Sequence, residues 1–276
     1  MIKGARNFKL VNEYGQEYDI TRPGAFFHSP EGLGWGQNVT TEPLGFSFAV
    51  TDIKQTQPRP SGEMIFNNYI DYDNFLTFIQ RAKRLYLAYM PLNSWYYLEV
   101  ITTINKSEIK AEQNKLICPL NFKGVSRWYE ELHYITSNGE STGNGKKYAY
   151  TYSYTYVQSD RAIFNLNLNL SSYFRLEIMG EIITPEWRVI QNGMTILSGK
   201  INATIGSTHK IIINTNPTDA EIGEYTKGGA YVQNLYNKSD FTTKRLFAIP
   251  AGDVTFAVLG QGTTAPKVFM EVLKRV

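Results

Sequence analysis

Apolar and polar positions alternate along most of this chain, and the repeat is two residues far more often than three to four. The opening run from Phe8 to Ile20 predicts a hairpin, because two alternating segments flank Asn12 to Gly15, whose residues suit a tight turn. Residues 45 to 51 alternate again and predict a strand with Phe46, Phe48 and Val50 on one face. Pro58 to Gly62 reads as a turn or edge segment, since proline cannot donate into a ladder. One helix is expected: Tyr72, Phe75, Leu76, Ile79 and Ala82 recur at helical spacing, and Asp71 is placed to cap them. The pattern then returns to strands at 85–89, 95–103, 107–112 and 116–122.

Residues 137–147 break the pattern with a polar, Gly-rich stretch that predicts a loop at or near a domain boundary. Further strands are expected at 148–157, 162–170, 173–180, 187–191, 194–201, 210–213 and 246–250. A final hairpin is expected from 254–259 and 268–272. Many short strands with polar turns predict a mainly β chain of sandwich type. The division expected is 1–132, a β-sandwich-type domain carrying the short helix, and 133–276, a second β-sandwich.

Composition fits this reading. At 276 residues and 42% hydrophobic content, the chain is long enough for two cores. Aromatic residues reach 14% with 19 tyrosines, which favours pleated, half-buried surfaces. The net charge of +3 is small and by itself neither predicts nor excludes nucleic-acid contact; acids and bases are interspersed, with no basic run of the kind that grips phosphates. Cys118 is the only cysteine, which rules out an intramolecular disulfide and points to folding in a reducing compartment. The first residues lack the apolar stretch of a secretory signal, and no apolar window is long enough for a spanning helix.

Candidate chemistry is sparse. Gly139 to Lys147 loosely resembles a phosphate-binding loop, but five residues separate Gly139 from Gly145, and Lys147 stands where a hydroxyl is needed. His28, His133 and His209 are far apart in sequence and carry no metalloprotease spacing. Glu177, Glu181 and Glu186 fall near strand ends, where a glycosidase pair is conceivable, yet nothing in their spacing selects one. Asp71 and Asp73 are accounted for by the start of the helix. No catalytic, cofactor-binding or metal-binding residues are therefore expected, and no enzyme.

Two aromatic features stand apart. Trp35 sits between Gly34 and Gly36 and either folds back on its own domain or anchors a partner. With Glu31, Leu33 and Gln37 it forms the candidate subunit-contact loop. Tyr148, Tyr150, Tyr152, Tyr154 and Tyr156 share one face of a strand at period two. That stripe could stack sugars or meet a neighbouring subunit, although burial in a sandwich is the reading favoured.

The order of features from about residue 7 to 130 resembles the N-terminal domain of phage distal tail proteins. The matching pieces are the hairpin with Asn12-Glu13-Tyr14-Gly15, the Gly32-Leu33-Gly34-Trp35 loop and Gly62-Glu63-Met64-Ile65-Phe66. Tyr72 to Ile79, Leu85-Tyr86-Leu87-Ala88-Tyr89, and Pro119-Leu120-Asn121-Phe122 ahead of Trp128 complete the series. Gly180 to Pro185, Trp187-Arg188-Val189 and the Asn192-Gly193 turn are similar to the family's galectin-like C-terminal sandwich. The resemblance implies a hexameric hub at the virion tail tip, assembled in the host bacterial cytoplasm. It implies contacts with the tail tube protein, the tail-associated fibre or lysin protein and a receptor-binding protein, without a cofactor, nucleic acid or membrane. The alternative expectation is a carbohydrate-binding sandwich whose tyrosine stripe contacts host cell-wall glycan.

Overall fold

The computed structural model describes residues 7–34, 36–106, 109–110, 115–136, 160–261 and 267–276. The chain is mainly β, with a single α-helix among the described residues. It divides into two compact units, Met1–Tyr129 and Glu130–Val276.

The first unit contains β1 (Asn7–Asn12), β2 (Glu17–Asp19), β3 (Thr21–Arg22), β4 (Ala25–Glu31), β5 (Gln37–Leu44), β6 (Ser47–Gln55) and β7 (Ser61–Phe66). The helix α1 (Tyr69–Arg81) follows, then β8 (Leu85–Met90), β9 (Tyr96–Ile104), β10 (Ile109–Lys110) and β11 (Lys115–Gly124). The strands pair in the order β2-β1-β8-β9-β11-β7-β4-β3, with β10 alongside β11 and with β5 and β6 apart as a two-stranded sheet. Ile20 joins the two ends of the row: its N–H donates to the Phe8 carbonyl, and its carbonyl accepts from Phe27 N–H. The alternation in β1 and β11 turns Phe8, Leu10, Leu116, Cys118, Leu120 and Phe122 into one core with Met64, Phe66, Leu87 and Leu98.

Helix α1 closes this core. Phe75 packs on Phe66 and Tyr18 at ring distances of 5.5 and 5.6 Å, and Tyr72 meets Phe66 edge-on at 5.5 Å. The helix starts earlier than the apolar spacing predicts. Asn68, not Asp71, is the N-cap, and its side-chain oxygen accepts from Asp71 N–H at 2.9 Å. The apolar pattern obscures this because Tyr69 and Ile70 precede its first clear repeat, whereas capping depends on the oxygen three residues before the free N–H.

The second unit contains β12 (Tyr129–Thr136), β13 (Asp160–Leu168), β14 (Tyr173–Met179), β15 (Ile182–Gln191), β16 (Met194–Lys200) and β17 (Thr204–Ile205). It continues with β18 (His209–Asn214), β19 (Glu221–Thr226), β20 (Tyr231–Asn234), β21 (Gly252–Gln261) and β22 (Lys267–Arg275). One sheet runs β20-β19-β18-β14-β22-β12, and the other runs β13-β21-β15-β16 with β17 on β15. Phe174, Leu176, Ile211, Ile213 and Met270 of the first sheet face Phe164, Trp187, Val189 and Phe256 of the second. Phe174 and Phe256 meet with ring centroids 4.9 Å apart. Gly199 is required here: a Cβ at that position would overlap the buried Trp187 indole.

Two expectations for this unit are corrected. β21 and β22 do not form a hairpin, because β21 pairs with β13 and β15 while β22 pairs with β14. Each strand has a buried face, and alternation cannot distinguish pairing within a sheet from facing across a core. Residues 246–250 form no strand; only Ile249 makes an isolated bridge, to Ser172.

Candidate assembly surface

β5 and β6 form a ribbon with no second layer among the described residues. Every residue of β5 is exposed. Their register puts Val39 opposite Ile53, Thr41 opposite Val50 and Pro43 opposite Phe48. Directly opposed residues share a face, so Val39, Pro43, Phe48, Val50 and Ile53 lie together. A β-bulge makes this possible. Val50 and Ile53 are three apart and would point to opposite faces of a regular strand. The register shifts beside Thr40, which inserts Thr51 as the extra residue, and the Thr51 hydroxyl donates to the Thr40 carbonyl at 3.2 Å. The other face is mainly polar, with Asn38, Thr40, Glu42 and Asp52 and with Lys54 paired to Asp52 at 2.6 Å, and carries Ala49 and the exposed Leu44 toward the turn.

The apolar face is open to solvent: Phe48 is 73% exposed, Val50 56%, Ile53 55% and Val39 50%. Phe46 belongs to the turn after Gly45 and is also exposed, so it does not share the strand face of Phe48 and Val50 on which the alternation places it. A two-stranded ribbon alone in water is at best marginally stable, and a contiguous exposed apolar face marks a contact surface.

The root of the ribbon is held firmly. Thr56 N–H donates to the Gly36 carbonyl at 3.0 Å, and the Gln57 side chain donates to the Gly124 carbonyl at 2.7 Å. Gly124 N–H returns to the Pro58 carbonyl, and Phe122 N–H to that of Pro60, both at 2.8 Å. Gly32, at φ +68°, lies against the Arg59 carbonyl where no Cβ fits.

The candidate loop residues lie around this root. Glu31 ends β4 opposite Ser61 and is exposed. Leu33 is half-buried against the core of its own unit. Gln37 opens β5 opposite Gln55, and Trp35 lies outside the described residues. The tyrosine stripe, Tyr148 to Tyr156, and the glycine-rich loop, 139–147, also lie outside them. Alternation in the sequence places Phe48 and Val50 on one strand face, but it does not reveal that this face is exposed or that Val39, Pro43 and Ile53 share it.

The remaining polar candidates resolve into separate local contacts. His28 bonds Ser29 at 2.8 Å, His133 stands 4.0 Å from Glu131, and His209 bonds Glu224 at 2.6 Å. Glu177 accepts from Lys210 at 2.9 Å, and Glu186 from Arg188 at 2.5 Å. Burial works to raise the Glu224 carboxyl, but hydrogen bonds from Gln233 and His209 outweigh it and hold the group below the ordinary carboxylate range. No group of three metal-ligating side chains occurs among the described residues.

Residues 7–125 match the family described as distal tail protein, N-terminal domain. Among solved structures, a chain of the phage P2 baseplate in its activated conformation with calcium is similar at 17% identity and TM-score 0.71, over 99% of each chain. A chain of the corresponding strontium form gives 18% identity and TM-score 0.67, over 96% of this chain and 98% of that one. The SPP1 Dit (gp 19.1) protein, described as a paradigm of hub adsorption apparatus in phages infecting Gram-positive hosts, gives 9% identity and TM-score 0.58 over 98% and 99%. At these identities the likeness is one of fold. No curated protein matches the sequence.

Proposed function

We propose, from the match of residues 7–125 to the distal tail protein N-terminal domain family, that this chain is a structural hub subunit of a bacteriophage tail tip. In this reading, copies of the first unit form a hexameric ring beneath the tail tube, and the C-terminal sandwiches project from it. The ring joins the tube to the fibre or lysin protein below, with receptor-binding protein at its periphery. Its work is assembly and load transmission in the virion, after assembly in the host cytoplasm.

The self-association in this reading rests on the β5–β6 ribbon. It is anchored at its root, carries an apolar face, and is uncovered by the described residues. A second copy of the chain is the occupant that a ring supplies, because each subunit then gives one ribbon and receives one. The test is single-particle imaging of the purified chain, alone and mixed with tail tube and fibre proteins. Closed rings are expected in at least one mixture; dispersed monomers in all of them overturn the proposal.

A further inference from the structure

The loop between β20 and β21 contains Arg245, which has no acidic partner among the described residues. Tyr236 and Phe241 meet edge-to-face, with ring centroids 6.1 Å apart and planes at 87°. The Arg245 guanidinium lies in the corner they make, 4.0 Å from the Phe241 centroid and 4.7 Å from that of Tyr236. Phe241 is 62% exposed and Tyr236 41%. Arg245 Nη1 is buried with no hydrogen-bond partner, and no carboxylate pairs with Arg245 among the described residues.

The loop holds this corner in place. Leu235 and Phe247, at its two ends, are buried in the sandwich core. Asp240 N–H donates to the Lys200 carbonyl, Asn202 N–H to that of Lys238, and Tyr236 N–H to the Asn234 side chain. The nearby acid is already engaged: Asp240 accepts from the Thr242 hydroxyl and N–H, which hold its carboxyl below the ordinary range, with Lys200 adding to the effect. Lys238 donates to Gln233. Lys244 is exposed beside Arg245, so the corner sets two cationic side chains next to partly exposed rings.

We propose that this corner anchors a carboxylate-bearing segment of a protein partner. An Asp or Glu side chain takes the guanidinium nitrogens other than the buried Nη1, while a neighbouring apolar side chain covers the Phe241 and Tyr236 rings. Tyrosine and arginine are among the residues that dominate interface energies, and a group already fixed by stacking loses little freedom on binding. A phosphate backbone fits less well, since it would leave the rings uncovered and finds no basic run here.

The test is selection of a random dodecapeptide display library on the full-length chain. Selected peptides are then measured against Arg245→Glu, Arg245→Lys and Phe241→Ala, each checked for an unchanged melting temperature. Peptides carrying Asp or Glu beside an apolar residue are expected, weakened about tenfold or more by Arg245→Glu. Arg245→Lys keeps the charge but loses the planar stack, so it should fall between. Two outcomes overturn the proposal: no binder that depends on Arg245, or Arg245-dependent binders without acidic residues. Equal Arg245-dependent binding of a thymidine oligonucleotide would overturn the choice of a protein partner.

Discussion

Replacing Phe48 by Ser and Val50 by Thr removes the centre of the ribbon's apolar face while keeping residues that a strand tolerates. Burying one such side chain completely is worth about 1.5–3 kcal/mol. Phe48 exposes nearly three-quarters of its surface and Val50 over half. If a second copy covers both, the pair supplies roughly 2–3 kcal/mol per interface. That corresponds to association weaker by roughly 30- to 150-fold. Sedimentation velocity over a concentration series reads this directly as a shift from assembled to monomeric species. The same substitutions should leave the melting temperature of the free chain nearly unchanged, because these side chains are largely in water already. Unchanged assembly would refute the reasoning. So would a stability loss of about 2 kcal/mol or more, which would mean that the face packs within its own chain.

Other consequences concern the scaffold. Gly199→Ala forces a methyl into the Trp187 ring and should cost about 1–3 kcal/mol or more in chemical denaturation, with altered tryptophan fluorescence. Asn68→Ala removes the α1 cap and should cost about 1 kcal/mol, read from a thermal melt. Glu224 is held below its ordinary value of 4.5 because hydrogen bonds from Gln233 and His209 overcome the effect of burial. A carboxyl with a lowered folded pKa stabilises the fold above its unfolded value, and that contribution is lost as pH falls through the lower folded one. Glu224→Gln should therefore flatten the acid limb of the stability profile below about pH 4.5; an unchanged limb would show that the network contributes nothing.

The sequence carried much of the fold, because many strands have one buried face. β1, β8 and β11 are legible from alternation alone. Pairing partners are not, which is why β21 and β22 read as a hairpin although they belong to opposite sheets. β19 escapes the pattern because Glu221, Gly223 and Glu224 interrupt any apolar repeat; Glu224 is buried only because Gln233 and His209 satisfy it. The ribbon is the instructive case. Phe48 and Val50 have the spacing of core residues, and only the structure reveals that no layer among the described residues covers them, or that a bulge at Thr51 brings Ile53 to the same face. The Arg245 corner has no sequence period at all; Tyr236, Phe241 and Arg245 meet because a non-repetitive loop folds them together.

The central claim is that the ribbon's apolar face is covered by another copy of the chain in the assembled tail tip. A photo-crosslinking amino acid at position 50, introduced into the chain in assembled particles and followed by mass spectrometry of the products, tests it most directly. The account predicts crosslinks from position 50 to a second copy of this chain, absent from the dilute free protein. Crosslinks confined to the same chain, or none in assembled particles, would contradict it.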